Sequence, residues 1–239
     1  MSSEQFTEEP KVEIRVTADG SATLYVPALD EHYHSRHGAR QESAHVFIQA
    51  GLAPLLAAGG HTAAHPLRVL EVGLGTGLNV LLTLEASERA AAAFIEYDGL
   101  ETFPLPSAVV AALQPEWDQR GARLGTHFAA LHAAAWNAPV AMTPRFTVNK
   151  MHGSLQWAAL APRHYRLVYF AAFAPEKQPE LWTEAVFQQL YEAAAPGAVL
   201  VSYCAQGQFR RSLRAAGWCT ERLFGPPGKR EMTRARKES

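Results

Sequence analysis

The stretch Leu67-Arg68-Val69-Leu70-Glu71-Val72-Gly73-Leu74-Gly75-Thr76-Gly77-Leu78-Asn79 decides the fold. Its first four residues predict a short buried strand. Asn79-Val80-Leu81-Leu82-Thr83-Leu84 predicts the opening turns of a helix. Strand, glycine-rich turn and helix N-terminus together make a ligand site. Glycines accept positive φ and let a ligand approach the backbone closely. A helix N-terminus offers unpaired N–H groups and a partial positive charge. A tight turn in some other α/β protein is the plain alternative.

The spacing here is acidic-x-Gly-x-Gly-x-Gly, not the Gly-x-Gly-x-x-Gly of dinucleotide binders. Glu71, at the strand end, would repel a pyrophosphate. It suits the cationic amino-acid part of S-adenosylmethionine. Gly73, Gly75 and Gly77, with Thr76 and Asn79, are then cofactor-contacting positions under the methionine part, and Glu71 holds or orders its amino-acid end.

The chain of 239 residues suits one large α/β domain with an N-terminal appendage. The expected division is 1–60 for the arm, hairpin and capping segment, and 61–239 for the main domain. Hydrophobic residues make up 48% and charged ones 19%, enough for a sizeable core and against global disorder. Net charge is −1, but it is unevenly spread: residues 210–239 carry nine Lys or Arg against three Glu. That basic segment is a candidate polyanion footprint or an ordinary solvated surface. Two cysteines, Cys204 and Cys219, make neither a disulfide framework nor a metal pattern. The polar, acidic opening predicts no signal peptide, and no apolar run of about 18 residues predicts a membrane span. A reduced cytoplasmic setting follows as the expectation.

Residues 1–10 read as a loose arm. Two alternating runs, 12–16 and 22–26, flank Asp19-Gly20 and predict a hairpin ahead of the main domain. Residues 30–44 are densely polar and pass into a helical pattern over 44–52. The histidines there lack the spacing of a zinc site, so a polar loop over an active site is expected and no metal. A second strand over 91–97 ends at Asp98-Gly99-Leu100-Glu101. An acid at that distance past a glycine turn commonly holds ribose hydroxyls, and Glu101 and Asp98 both qualify. A helix after Pro104 and Pro106, strands over 146–151, 166–170 and 198–203, and helices over 182–194 and 208–216 complete an alternating pattern. Segments 218–223 and 231–235 read as a closing antiparallel pair. Such alternation implies a doubly wound, mostly parallel sheet of about seven strands with ligands at the strands' carboxyl ends.

Five motifs in order then resemble one family: 32–39 with 42–48, 71–79, 99–105, 173–182 and 225–232 look like the bacterial MnmC/MnmD methyltransferases. The resemblance covers the chain from about the hairpin to Met232. It implies a Rossmann-like class I methyltransferase fold with S-adenosyl-L-methionine as cofactor and tRNA as partner. The implied reaction methylates the 5-aminomethyl group of the (often 2-thiolated) wobble uridine. Some relatives are fused to a flavin oxidoreductase; no such domain is expected in this chain.

The chain departs from the family pattern at two positions. Gly153-Ser154 stands where the family usually has Gly-Asp, whose acid faces the adenine. Ala171 stands where it usually has an Asp, at the catalytic position near the methyl group and the attacking amine. The resemblance places Phe173 and Pro175 along the target pocket. Tyr33, His34 and Arg36 are assigned to capping the site, Glu42 to the substrate side, and Arg210, Arg211, Lys229 and Arg230 to phosphate contacts. Three functions follow: an active tRNA wobble-uridine methyltransferase, a cofactor- and RNA-binding homologue that no longer catalyses, and a small-molecule amine methyltransferase. The basic segment favours RNA over the last.

Overall fold

The computed structural model describes residues 11–90 and 93–238. The arm 1–10 and the first two residues of the strand expected over 91–97 lie outside the described residues. The elements run β1 (Glu13–Val16), β2 (Ala22–Val26), β3 (Glu31–His32), α1 (Ala39–Ser43), a π-wound stretch (Ala44–Leu52), α2 (Ala53–Ala58), β4 (Leu67–Val72), α3 (Leu78–Arg89), β5 (Ile95–Glu101), α4 (Ser107–Gln119), α5 (Ala122–Ala133), β6 (Pro139–Thr143), β7 (Phe146–His152), β8 (Tyr165–Phe170), α6 (Glu184–Ala193), β9 (Ala194–Ser202), α7 (Gly207–Ala215), β10 (Cys219–Phe224) and β11 (Glu231–Arg236).

The main sheet has the order β10-β11-β9-β8-β4-β5-β7-β6. Its five central strands are parallel, and β11 enters antiparallel beside β9. Among the described residues this sheet has eight strands, not about seven. The extra one is β6, whose alternating Val140 and Met142 are interrupted by a bulge against β7. β5 begins at Ile95, with 93–94 outside it, and runs through Asp98 and Gly99 to Glu101. Gly99 pairs with Glu71 and Lys150 inside the strand, and Leu74 packs where its side chain would be.

Successive residues of β4 face opposite layers, which is why apolar residues occupy both of its faces. Val69 joins the core formed with α3, α5 and the 39–58 helical run. Leu70 and Val72 join the core under α6 and α7, with Phe170, Phe187 and Phe209. Burying side chains of this size stabilises by roughly 1.5–3 kcal/mol each, against about 0–1 kcal/mol for an exposed ion pair such as Arg15–Glu13. The two apolar layers therefore hold the fold.

The N-terminal β1–β3 sheet stands apart from the main sheet in hydrogen bonding, yet Leu24, Val46 and Phe47 share the core of Val69 and Leu81. The Ala22 N–H also donates to Glu116 of α4 at 2.8 Å. The polar 30–44 stretch is thereby drawn over the sheet's carboxyl edge. The chain moves from β4 to β5 and β7 on one side and returns to β8 and β9 on the other. The switch point lies between β4 and β8, where α/β sheets open a crevice for ligands.

Candidate active site

The turn after β4 takes the conformation its glycines permit. Gly73, Gly75 and Gly77 have φ of 89°, 53° and 75°. A Cβ on Gly73 would meet the Ala171 carbonyl oxygen at 3.1 Å, and the Ala171 N–H donates to Val72 O at 3.0 Å. The ends of β4 and β8 thus touch through backbone alone. Beside them opens a cleft, partly open to solvent, lined by Gly73, Gly75, Glu101, Ala171, Phe173 and Tyr203.

Glu101 ends β5 at the cleft wall. Its carboxylate accepts from the Gly75 N–H at 2.8 Å and the Phe103 N–H at 2.9 Å. Burial pushes its pKa up, opposed by these backbone bonds. Thr102 adds a third backbone bond, and of the carboxylate's four acceptor sites one is left for a further donor. Asp98, the other ribose candidate, is spent elsewhere: it accepts from Tyr165 OH at 2.6 Å and Asn149 at 3.1 Å.

Glu71 is fully buried and does not line the cleft. It accepts from Asn79 Nδ2 at 2.7 Å and Tyr97 OH at 2.8 Å. Burial pushes its pKa up to about 8, against those two bonds. It reaches the cleft only through Asn79, which does line it and whose buried Oδ1 has no partner among the described residues. Thr76 and Gly77 face away from this cleft; the Thr76 carbonyl accepts from His132 at 3.2 Å. Gly153 lines the cleft with φ 151° and open space beside it, whereas the Ser154 hydroxyl bonds Gln156.

Tyr33 closes the cleft from the N-terminal segment. Its ring would lie 3.0 Å from a Cβ on Gly75 and packs edge-on against Phe173, with centroids 5.2 Å apart at 82°. His34 also lines the cleft; burial holds it neutral, with its pKa pushed down to about 4. Phe173 is fixed at both ends of its peptide: its N–H donates to Gln178 Oε1 and its carbonyl accepts from Trp182 Nε1, both at 2.9 Å. Pro175 sits in the turn beyond and does not line the cleft. Glu42 lines the opposite wall, bonded by Lys229 Nζ at 2.7 Å and the Ser35 N–H at 2.8 Å.

The basic segment divides. Arg210 turns inward, its side chain 8% exposed and paired with Glu231 at 3.2 Å, so it is not offered to a phosphate. Lys229 is spent on Glu42 and the Tyr203 ring. Arg36, Arg211 and Arg230 are exposed. Tyr203 and Gln178 were not foreseen. Tyr203 bonds the Ala172 carbonyl at 2.8 Å from the carboxyl end of β9, an edge whose alternation already marked it; Gln178 lies inside the 173–182 motif. Among the described residues no group of three or more His, Cys, Asp or Glu is placed to hold a metal ion.

These residues fit S-adenosylmethionine. The Gly73 and Gly75 backbone lines the cleft, Asn79 Oδ1 offers an acceptor to an ammonium, and Glu101 offers its carboxylate to hydroxyls. A family model described as S-adenosyl-L-methionine-dependent methyltransferase matches residues 147–238. The chain is similar to S-adenosyl-L-methionine-dependent methyltransferases, and its relatives are of the MnmC type. It is 30% identical over 233 residues to the tRNA 5-methylaminomethyl-2-thiouridine biosynthesis bifunctional protein MnmC of Chromohalobacter salexigens, covering 93% of this chain and 32% of that protein. Against the same-named protein of Pseudomonas paraeruginosa it is 33% identical over 206 residues, covering 84% and 31%. The chain thus spans about a third of the length of these relatives. The crystal structure of MnmC2 from Aquifex aeolicus superposes with a TM-score of 0.74 at 23% identity, covering 98% of this chain and 77% of that one. Spermidine synthase from Thermotoga maritima gives 0.59 at 12%, covering 97% and 70%, a likeness of fold.

Proposed function

We propose that the chain methylates the 5-aminomethyl nitrogen of (2-thio)uridine at the tRNA wobble position, in the cytoplasm, giving 5-methylaminomethyl-(2-thio)uridine. One observation carries this reading: the glycine turn and the β8 end meet at the switch point, beneath an aromatic pair, Tyr33 and Phe173, that can frame a planar base. The names of the relatives support tRNA as the substrate class. The cofactor supplies a methyl group already activated by its sulfonium. What remains for the protein is alignment and handling of one proton. Asn79 and Glu101 fix the two ends of the cofactor. Gln178 and Trp182 hold Phe173 by its backbone, so its ring keeps its place beside Tyr33.

The amine attacks as the neutral base and sheds a proton as its bond to carbon forms. A carboxylate beside it is often worth about 10²–10⁴-fold. Ala171 supplies none. This favours, as a second reading, a homologue that binds cofactor and RNA with little turnover. Mass spectrometry of nucleosides, from tRNA bearing 5-aminomethyluridine incubated with the chain and S-adenosylmethionine, separates them. A 14-dalton gain on that nucleoside alone supports catalysis, as expected for one methyl replacing hydrogen. Absence of any gain, with cofactor bound, supports the second reading.

A further inference from the structure

Two large side chains break the pattern of burial. Trp157 is 88% exposed and Phe224 is 90% exposed, whereas Trp117, Trp182 and Trp218 are buried. Both sit on the edge of the sheet where the cleft opens. Trp157 ends the single turn Leu155–Trp157 that follows β7, and Leu155 lines the cleft. Phe224 is the last residue of β10. Because β10 is antiparallel to β11 and β11 to β9, β10 runs parallel to β9 and ends on that same edge. Six strand steps separate β10 from β7, roughly 30 Å at the usual spacing, with the cleft between.

The Phe224 flank is anchored to the cleft wall and positively charged. The Phe224 carbonyl accepts from His45 Nε2 at 2.9 Å. The following loop is closed by the Gly225 N–H donating to Arg230 O at 3.1 Å, and its Lys229 reaches Glu42 and Tyr203 of the wall. Around it lie exposed Arg222 and Arg230, and the His37 ring packs against Gly228, which brings exposed Arg36 alongside. Arg36 and Arg230 have no ion pair among the described residues, and Arg222 only a 4.0 Å approach to Glu231. An apolar partner would leave these cations unanswered. Aromatic faces interleaved with cations match unpaired nucleotides, whose bases stack while their phosphates meet arginine.

We propose that Phe224 and Trp157 are stacking platforms for unpaired bases on either side of the target nucleotide, so that the chain grips an RNA loop across its cleft. The proposal rests on the tRNA reading above and adds residues that neither the motifs nor the cleft include. The test uses an RNA hairpin with 5-aminomethyluridine in its loop, followed by fluorescence anisotropy over a salt series. Phe224→Ala and Trp157→Ala should each weaken binding about 5- to 100-fold, the scale of one lost base stack. Phe224→Tyr and Trp157→Phe should stay within about two-fold, since a π-face remains. The log–log salt slope should not move, because no phosphate contact is lost. Calorimetry with S-adenosylmethionine reports that each variant is folded. Alanine variants that bind the hairpin like the parent, while the parent methylates it, overturn this proposal and leave the tRNA reading standing. A parent chain that binds no hairpin overturns both. A concentration-dependent dimer that Phe224→Ala dissolves would make this face a protein contact and overturn the proposal too.

Discussion

The two loops that meet at the centre of the sheet are furnished differently. After β4, three glycines hold positive φ, Glu101 clamps the Gly75 N–H, and a buried Glu71–Tyr97–Asn79 cluster stiffens the start of α3. After β8, Ala171 and Ala172 present only backbone to the same space, and the neighbouring polar groups Gln178, Trp182 and Tyr203 are spent holding main-chain atoms. One side of the cleft is equipped to position a ligand, and the other lacks a group that could move a proton. Positioning rests on many backbone atoms, each hard to remove by one substitution. Proton handling rests on a single side chain.

The sharpest way to break the contrast is Gly75→Asp. It forces a side chain onto a φ of 53°, against the Tyr33 ring and beside Glu101. Calorimetry should show S-adenosylmethionine affinity down roughly 1000-fold, the scale of an uncompensated buried charge, with a native circular dichroism spectrum. Unchanged affinity would place the cofactor elsewhere. The contrast is sharpened from the other side by Ala171→Asp. Turnover of 5-aminomethyluridine in tRNA should rise by about 10²-fold, with cofactor affinity within a few-fold. A parent chain that is already fast, and gains nothing from the acid, would show that another group carries the proton.

Smaller effects should follow the rim. Arg36→Ala and Arg230→Ala should each lower the log–log salt slope of RNA binding by about 0.9, one released counterion apiece. Arg214→Ala should not, because Arg214 sits in the last turn of α7 and bonds Thr220. Equal slopes for all three would detach the rim from RNA.

The smallest effect concerns pH. Glu71 holds its proton more tightly folded than unfolded, between 4.5 and about 8. Its contribution to stability is therefore full at low pH and is lost as pH rises through that window. His34 and His132, both pushed down to about 4, act oppositely and lose their contribution as pH falls from 6.5. The histidines' own contribution levels off within about a pH unit above 6.5. Glu71→Gln should then flatten the fall in Tm between pH 6.5 and 8 by a few degrees, Glu101 retaining its own share. An unaltered melting profile would mean Glu71 is ionised in the folded chain.

Much of this was legible in order along the chain, for a physical reason. Parallel strands buried on both faces are written as apolar runs, and a glycine turn between strand and helix has few other uses. So β8 and β9 could be placed as apolar runs, β4 by the glycine turn after it, and β7 and the closing β10–β11 pair by their place in the strand–helix alternation. β6 could not, being a short bulged edge strand with little apolar signal. The start of β5 was misplaced because its alanine-rich approach carries no periodicity.

Local sequence also determined which residues end at the sheet's carboxyl edge: Gly73, Glu101, Gly153 and Ala171 each follow a recognisable strand. Tertiary structure alone decided what their side chains, and those around them, are free to do. Glu71 looked like a ligand-facing acid, but packing under α3 buries it and gives its oxygens to Asn79 and Tyr97. Arg210 and Arg211 are adjacent, yet the turn of α7 sends the first inward to Glu231 and leaves the second in solvent. Tyr33 lies 42 positions before Gly75 in the chain, and only the packing of the N-terminal sheet on the main core sets its ring over that glycine. A pattern along a chain records which way a backbone runs and which face is apolar. It does not record which polar group across the fold will answer a given charge, because that choice is made between residues far apart in sequence.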